Sequence, residues 1–141
     1  MKKAKKFIKL SLIAIIALGV SIPLSSLASN DDIGYKFTIH SYHKNGKEKI
    51  GRYRQTKSVD NPWKVRLDSS GEGKGTITRF WIENASARNV SMSRDVKQGV
   101  GAYYTNPYAQ ANQTDVWLTG ENNNYNGKSY TVSGVWDEET W

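Results

Sequence analysis

The sequence predicts an all-β fold: a single antiparallel β-sandwich of about seven strands behind an N-terminal signal peptide. Three observations carry this expectation. Apolar and polar residues alternate with period 2 through most of the chain beyond residue 29, the pattern of strands with one buried face. Asn-Gly, Asn-Pro and Gly-rich segments punctuate the alternating runs. No stretch of ten or more residues carries a capped 3.6-residue period, so little helix is expected.

The elements follow in chain order. Met1-Lys2-Lys3-Ala4-Lys5-Lys6-Phe7-Ile8-Lys9 is a basic leader region, residues 10–20 are apolar, and Ser26-Leu27-Ala28 places small residues where a signal peptidase reads. The apolar run falls short of the roughly 20 residues that span a bilayer. Residues 1–28 are therefore expected to be a signal peptide cleaved after Ala28, and residues 29–141 a secreted sandwich domain. Neither a Leu-Pro-x-Thr-Gly wall-sorting signal nor a second hydrophobic segment follows. The expectation is a secreted protein, at most loosely wall-associated, with no transmembrane anchor.

Tyr35, Phe37 and Ile39 alternate with Lys36, Thr38 and His40 in the first expected strand. Asn45-Gly46 is a two-residue hairpin signal, because Asn and Gly accept the positive φ such a turn needs. Asn61-Pro62 opens a strand on Trp63, Val65 and Leu67. Residues 69–75, glycine- and serine-rich, turn into a strand in which Ile77, Trp81, Phe80 and Ile82 lie on both faces, so this strand is expected to be central. Val116 and Leu118 mark another strand. Asn126-Gly127 is the second hairpin signal, and Tyr130, Val132 and Val135-Trp136 form the last strand, with Gly134 a bulge. Two short-stranded sheets can share a core built on Trp63, Trp81 and one of Trp117 or Trp136, which favours a sandwich over a barrel.

Charge refines the class. The chain of 141 residues has 20 Lys+Arg against 13 Asp+Glu, a formal +7. Five of the basic residues lie in the leader, so residues 29–141 hold 15 basic and 13 acidic side chains, net +2. They divide into +6 over residues 29–100 and −4 over residues 101–141. A mature domain of this balance offers no broad basic stripe, and nucleic acid is not an expected partner. The absence of Cys excludes disulfides, thiolate metal sites and a cysteine nucleophile.

Motifs for catalysis are sparse. Gly71-Glu72-Gly73-Lys74-Gly75-Thr76 departs from a Walker loop, since Lys74 precedes Gly75 and then a strand. His40 and His43 lack metal-ligand spacing, and no metal or cofactor is expected. Glu83, Asp95 and Glu121 are the acids that a paired-carboxylate hydrolase would draw on. Asp137-Glu138-Glu139 reads as a solvated acidic tail. The aromatics are more informative. Tyr103, Tyr104 and Tyr108, with Asn112 and Gln113, lie in an amide-rich segment, and Tyr125 follows three asparagines. Exposed rings cover sugar C–H faces while amides bond hydroxyls. Such residues also suit protein interfaces, the membrane headgroup zone or packing on a sheet edge.

Asn61-Pro62-Trp63-Lys64-Val65, Ser70-Gly71-Glu72-Gly73-Lys74-Gly75-Thr76, Asp95-Val96-Lys97-Gln98-Gly99, Ala111-Asn112-Gln113 and residues 130–140 together resemble a family of small exported Firmicute proteins catalogued as a domain of unknown function. The resemblance spans nearly all of residues 29–141 and implies a compact secreted domain. In architecture, though not in motif, the chain is also similar to the lactococcin-972-like bacteriocins, which are exported, cysteine-free and β-rich. The expectation is a non-enzymatic protein that binds a cell-envelope component or glycan, with bacteriocin-like action. The alternatives are a carbohydrate-binding module using exposed Tyr and Trp, and a small hydrolase with paired carboxylates.

Overall fold

A computed structural model describes residues 30–141. The expected signal peptide lies outside the described residues. The strands are β1 (Ile33–Ile39), β2 (Gly46–Lys47), β3 (Arg52–Arg54), β4 (Trp63–Ser70), β5 (Ile77–Asn84), β6 (Arg94–Lys97), β7 (Ala102–Thr105), β8 (Thr114–Asn122) and β9 (Tyr130–Asp137). One 3-10 turn, Ala109–Ala111, stands between β7 and β8. These nine strands exceed the expected seven or so because β2 and β3 have two and three residues, too few to show a period in sequence.

They form an antiparallel sandwich. The first sheet has the order β1-β9-β4-β7; the second has β2-β8-β5-β6, with β3 also paired to β8. Inward residues of both sheets interdigitate, as a sandwich requires. Tyr35, Phe37 and Ile39 face Phe80, Ile82, Val116 and Leu118 across the core, with Trp63, Val65, Leu67, Val132 and Trp136 fully or nearly fully buried. Tyr35, Phe37 and Phe80 make a ring triangle with centroids 5.6, 5.7 and 6.2 Å apart. Each buried aromatic side chain of this kind contributes about 2–3 kcal/mol by area alone.

β5 is central, lying between β8 and β6. Trp63, Trp81 and Trp136 are buried while Trp117 is half-buried, but Trp81 faces away from the core, on the outer side of the second sheet. The expected hairpins are not formed. Among the described residues only β5 and β6 are consecutive strands paired with each other; β1 to β2 and β8 to β9 both cross between sheets. The first reversal uses positive φ at Tyr42 (57°) and His43 (55°) instead of at Gly46. Gly46 is needed for another reason: a Cβ there would meet the Thr38 carbonyl oxygen at 1.9 Å. The bulge likewise lies opposite Gly134. The β4–β9 register shifts between Leu67 and Ser69, so Asp68 is the extra residue. A Cβ on Gly134 would sit 1.9 Å from the Arg66 carbonyl oxygen.

Candidate functional site

The six residues singled out for binding do not form one site. Tyr103 and Tyr104 are neighbours on the edge strand β7, so their side chains leave opposite faces. Tyr103 packs against the core, with the Arg94 guanidinium 5.4 Å from its ring centroid. Tyr104 is exposed, and its ring lies 5.7 Å from that of Trp141. Tyr108 precedes the 3-10 turn and is exposed. Asn112 pins two loops together, donating from Nδ2 to the Lys57 carbonyl at 3.0 Å, while its Oδ1 is buried without a partner. Gln113 is exposed with φ 52° at the entrance to β8. Tyr125 lies past the other end of β8, a strand of nine residues that is itself roughly 26 Å long at ~3.3 Å per residue.

At that second end Tyr125 is joined by residues that sequence reading did not select. Its ring lies 5.3 Å from those of both Tyr42 and His43. Tyr125 and Tyr42 remain 74% and 53% exposed. The loops beneath are pinned. Tyr42 N–H donates to the Asn126 carbonyl at 2.8 Å, and the Glu72 carboxylate accepts from the side-chain amides of Asn122 and Asn126 at 3.2 and 3.3 Å. Asn122 Oδ1 accepts from the backbone N–H of Asn124, and Asn126 Oδ1 from that of Lys128, the side-chain turns these residues favour. A Cβ on Gly127 would stand 2.9 Å from the Tyr42 hydroxyl, so glycine lets the two loops meet.

The acids a hydrolase would use are tied down on the outer face of the second sheet. Glu83 accepts from Trp81 Nε1 at 2.9 Å and pairs with Lys47 Nζ at 3.3 Å. Lys47 also sits 5.0 Å over the Trp117 ring. Arg79 bonds Asp95 at 2.8 Å, Asn123 at 3.1 Å and Glu121 at 3.5 Å. The hydrogen bond to Asp95 holds the Arg79 pKa above its usual value. His43 Nδ1 is 3.8 Å from Glu121. β1 ends at Ile39, so His40 and His43 belong to the turn after it. Among the described residues no group of three or more His, Asp or Glu is placed to hold a metal, and no helix is long and apolar enough to cross a membrane.

The acidic residues at the end of β9 and just beyond it are not a solvated tail. Asp137, Glu138, Glu139 and Thr140 are all buried. Glu138 is held by the Arg52 guanidinium, with NH2 to Oε1 at 3.2 Å. The fully buried Arg54 donates to the Glu138 carbonyl, to Ser58 O at 3.3 Å and to Asn61 O at 2.9 Å. Glu139 accepts from the backbone N–H of Gln55 at 3.2 Å and Thr56 at 2.8 Å. Thr140 donates from N and Oγ1 to the Pro62 carbonyl at 2.9 Å each. Burial draws the Arg54 pKa down, against the pull of Glu139, Glu138 and Asp137. Burial also pushes the Asp137 carboxyl up to about 6 and raises that of Glu138. The misreading has a physical cause. The cations that bury these acids lie some 84 residues earlier, beyond the reach of local pattern.

A groove of about 650 Å³ opens where β1 and β9 meet the β1–β2 loop, lined by Lys36, Thr38, His40, Lys49 and Thr131 among others. Glu48 lies beside it, its carboxylate accepting the backbone N–H groups of Lys36 and Lys49 at 3.2 and 2.8 Å.

Residues 23–140 match a family model described as Protein of unknown function (DUF2712). No curated protein and no solved structure matches the chain.

Proposed function

We propose, from the premise that the chain belongs to the DUF2712 family, that it is an exported, non-enzymatic protein that binds a glycan component of the bacterial cell envelope. The observation that carries this is the cluster of Tyr42, His43 and Tyr125 on pinned loops rich in asparagine. Two half- to three-quarters-exposed phenol rings offer faces to sugar C–H groups, and neighbouring amides complement hydroxyls. Loops already held by hydrogen bonds lose little entropy on binding. The ion pairs of Glu83, Asp95 and Glu121 favour a structural use of those acids over paired-carboxylate hydrolysis. The leader sequence supports export.

Co-sedimentation of the exported chain, residues 29–141, with isolated bacterial cell walls tests the reading. Retention above a control protein is expected, falling about tenfold in Tyr42→Ala/Tyr125→Ala, which removes two stacking rings. Retention no greater than the control, or unaltered in the double variant, refutes it. Bacteriocin-like antagonism is the finer form of this reading. It predicts that the purified chain inhibits growth of related strains, and an absence of inhibition removes that form while leaving wall binding to its own test.

A further inference from the structure

A second cavity, of about 260 Å³, lies at the end of the sandwich away from Tyr125 and is lined by Asn84, Arg88, Asn89, Val90, Tyr108 and Gln110. Its walls are built by two loops locked to each other. Val90 N–H donates to Ile82 O at 2.9 Å, and Tyr108 N–H donates to Val90 O at 2.8 Å, so the loop after β5 is sewn between that strand and the 3-10 turn. Residues 84–88 close tightly: Asn84 Oδ1 accepts from Ser86 and Arg88 N–H at 3.0 and 3.1 Å, and Ala87 takes φ 55°. Val90, 1% exposed, gives an apolar floor.

The polar side chains around that floor are unspent. Among the described residues, the exposed Arg88 guanidinium, Asn89 and Gln110 amides and Tyr108 hydroxyl make no intramolecular hydrogen bond or ion pair. No lining residue is acidic. The nearest acid in sequence to this turn, Glu83, is occupied by Trp81 and Lys47. An uncompensated guanidinium presents a planar fork that matches a carboxylate. The Tyr108 phenol and the Asn89 and Gln110 amides match a pyranose ring and its hydroxyls. The volume is below the range of pockets for larger ligands and suits one ring.

We infer that this cavity is a subsite for a single sugar residue bearing a carboxylate, with Arg88 reading the acid, Asn89 and Gln110 the hydroxyls, and Tyr108 the ring face. The assignment deepens the envelope reading and rests on it only for the source of the sugar. It is tested with soluble probes, so that its failure is separate from a failure of wall retention. Side-chain amide and Arg Nε resonances of the exported chain are followed by NMR during titration with glucuronate, glucose and glucose 6-phosphate. Glucuronate is expected to shift the Asn89, Gln110 and Arg88 signals at millimolar concentration, with glucose about tenfold weaker. Arg88→Met keeps the aliphatic stem and is expected to bring glucuronate down to the level of glucose. Tyr108→Ala is expected to weaken both. Both substitutions are at exposed side chains, and an unaltered backbone spectrum confirms folding. No shift with glucuronate at tens of millimolar, equal binding of glucose by the parent chain, tighter binding of glucose 6-phosphate, or full glucuronate preference in Arg88→Met each overturns the assignment.

Discussion

Replacing Arg54 by Met is expected to remove most of what fastens the segment after β9 to the sandwich. Arg54 is fully buried, and its guanidinium serves three backbone carbonyls, those of Glu138, Ser58 and Asn61. It is also the cation closest to the interior among Asp137, Glu138 and Glu139. Met fills much of the volume but donates nothing, so the carbonyls lose their charged donor and the buried acids lose a compensating charge. A single hydrogen bond from a charged group is worth about 1.5–3 kcal/mol, and three on one guanidinium do not add fully. Removing one partner of a buried ion pair costs about 3–5 kcal/mol. A loss of about 4 kcal/mol is therefore expected, out of a total of roughly 5–15 for a domain. At about 4 °C per kcal/mol for a chain of this size, the thermal midpoint falls by about 15 °C. Urea unfolding followed by fluorescence of the buried Trp63 and Trp136 measures it directly, with an unaltered slope showing that the unfolded states are comparable. Arg66→Met, which breaks the exposed Arg66–Asp68 pair at 2.7 Å, is the control and should leave the midpoint in place. A loss below about 1.5 kcal/mol for Arg54→Met, or equal losses in both variants, would refute the clasp.

Further outcomes follow from the same contacts. The Asp137 carboxyl is pushed up to about 6 from an ordinary 3.8, chiefly by burial. Its stabilising neutral form is complete below about pH 4 and is lost as pH rises through 6. Asp137→Asn should therefore gain on the parent by roughly 1–3 kcal/mol between pH 4 and 7, and a pH-independent difference in urea midpoints would contradict this. Gly46→Ala should destabilise by more than ~3 kcal/mol, because its Cβ meets the Thr38 carbonyl oxygen at 1.9 Å. Asn45→Ala, at an exposed position, should not; the reverse order of midpoints would restore a turn role for Asn45-Gly46. Intact-mass measurement of the exported protein should give a chain beginning at Ser29, and retention of residues 1–28 would disprove the leader.

The strands were readable where one residue in two is buried. Tyr35, Phe37, Ile39 and Trp63, Val65, Leu67 point inward as their spacing requires. What failed were inferences in which a local signal stood for a non-local relation. Asn45-Gly46 and Asn126-Gly127 carry hairpin chemistry, yet each joins strands of different sheets, and their glycines serve close packing against Thr38 and Tyr42. Three consecutive acids look solvated until Arg52 and Arg54 are folded against them. In the candidate site, the exposure of Tyr104, Tyr108 and Tyr125 was legible from their polar surroundings. The partners that give them meaning, Trp141, Arg88 and Tyr42, come from the far ends of other loops. Only the packing of β8 against its neighbours decides that Gln113 and Tyr125 serve different ends.

The place of β9 has a consequence in time. It is the last strand in the sequence, yet it sits between β1 and β4. A chain threaded from its N-terminus can pair β5 with β6 early, but β1 has no sheet partner until about a hundred residues later, when Tyr130 and Val132 arrive opposite Ile39 and Phe37. Closing so long a loop is slow. The first sheet can thus pair β4 with β7 before β9 is present, while β1 joins it only through β9. On the proposed export route this ordering has a use: a chain that travels unfolded cannot pair β1 within its sheet before β9 arrives.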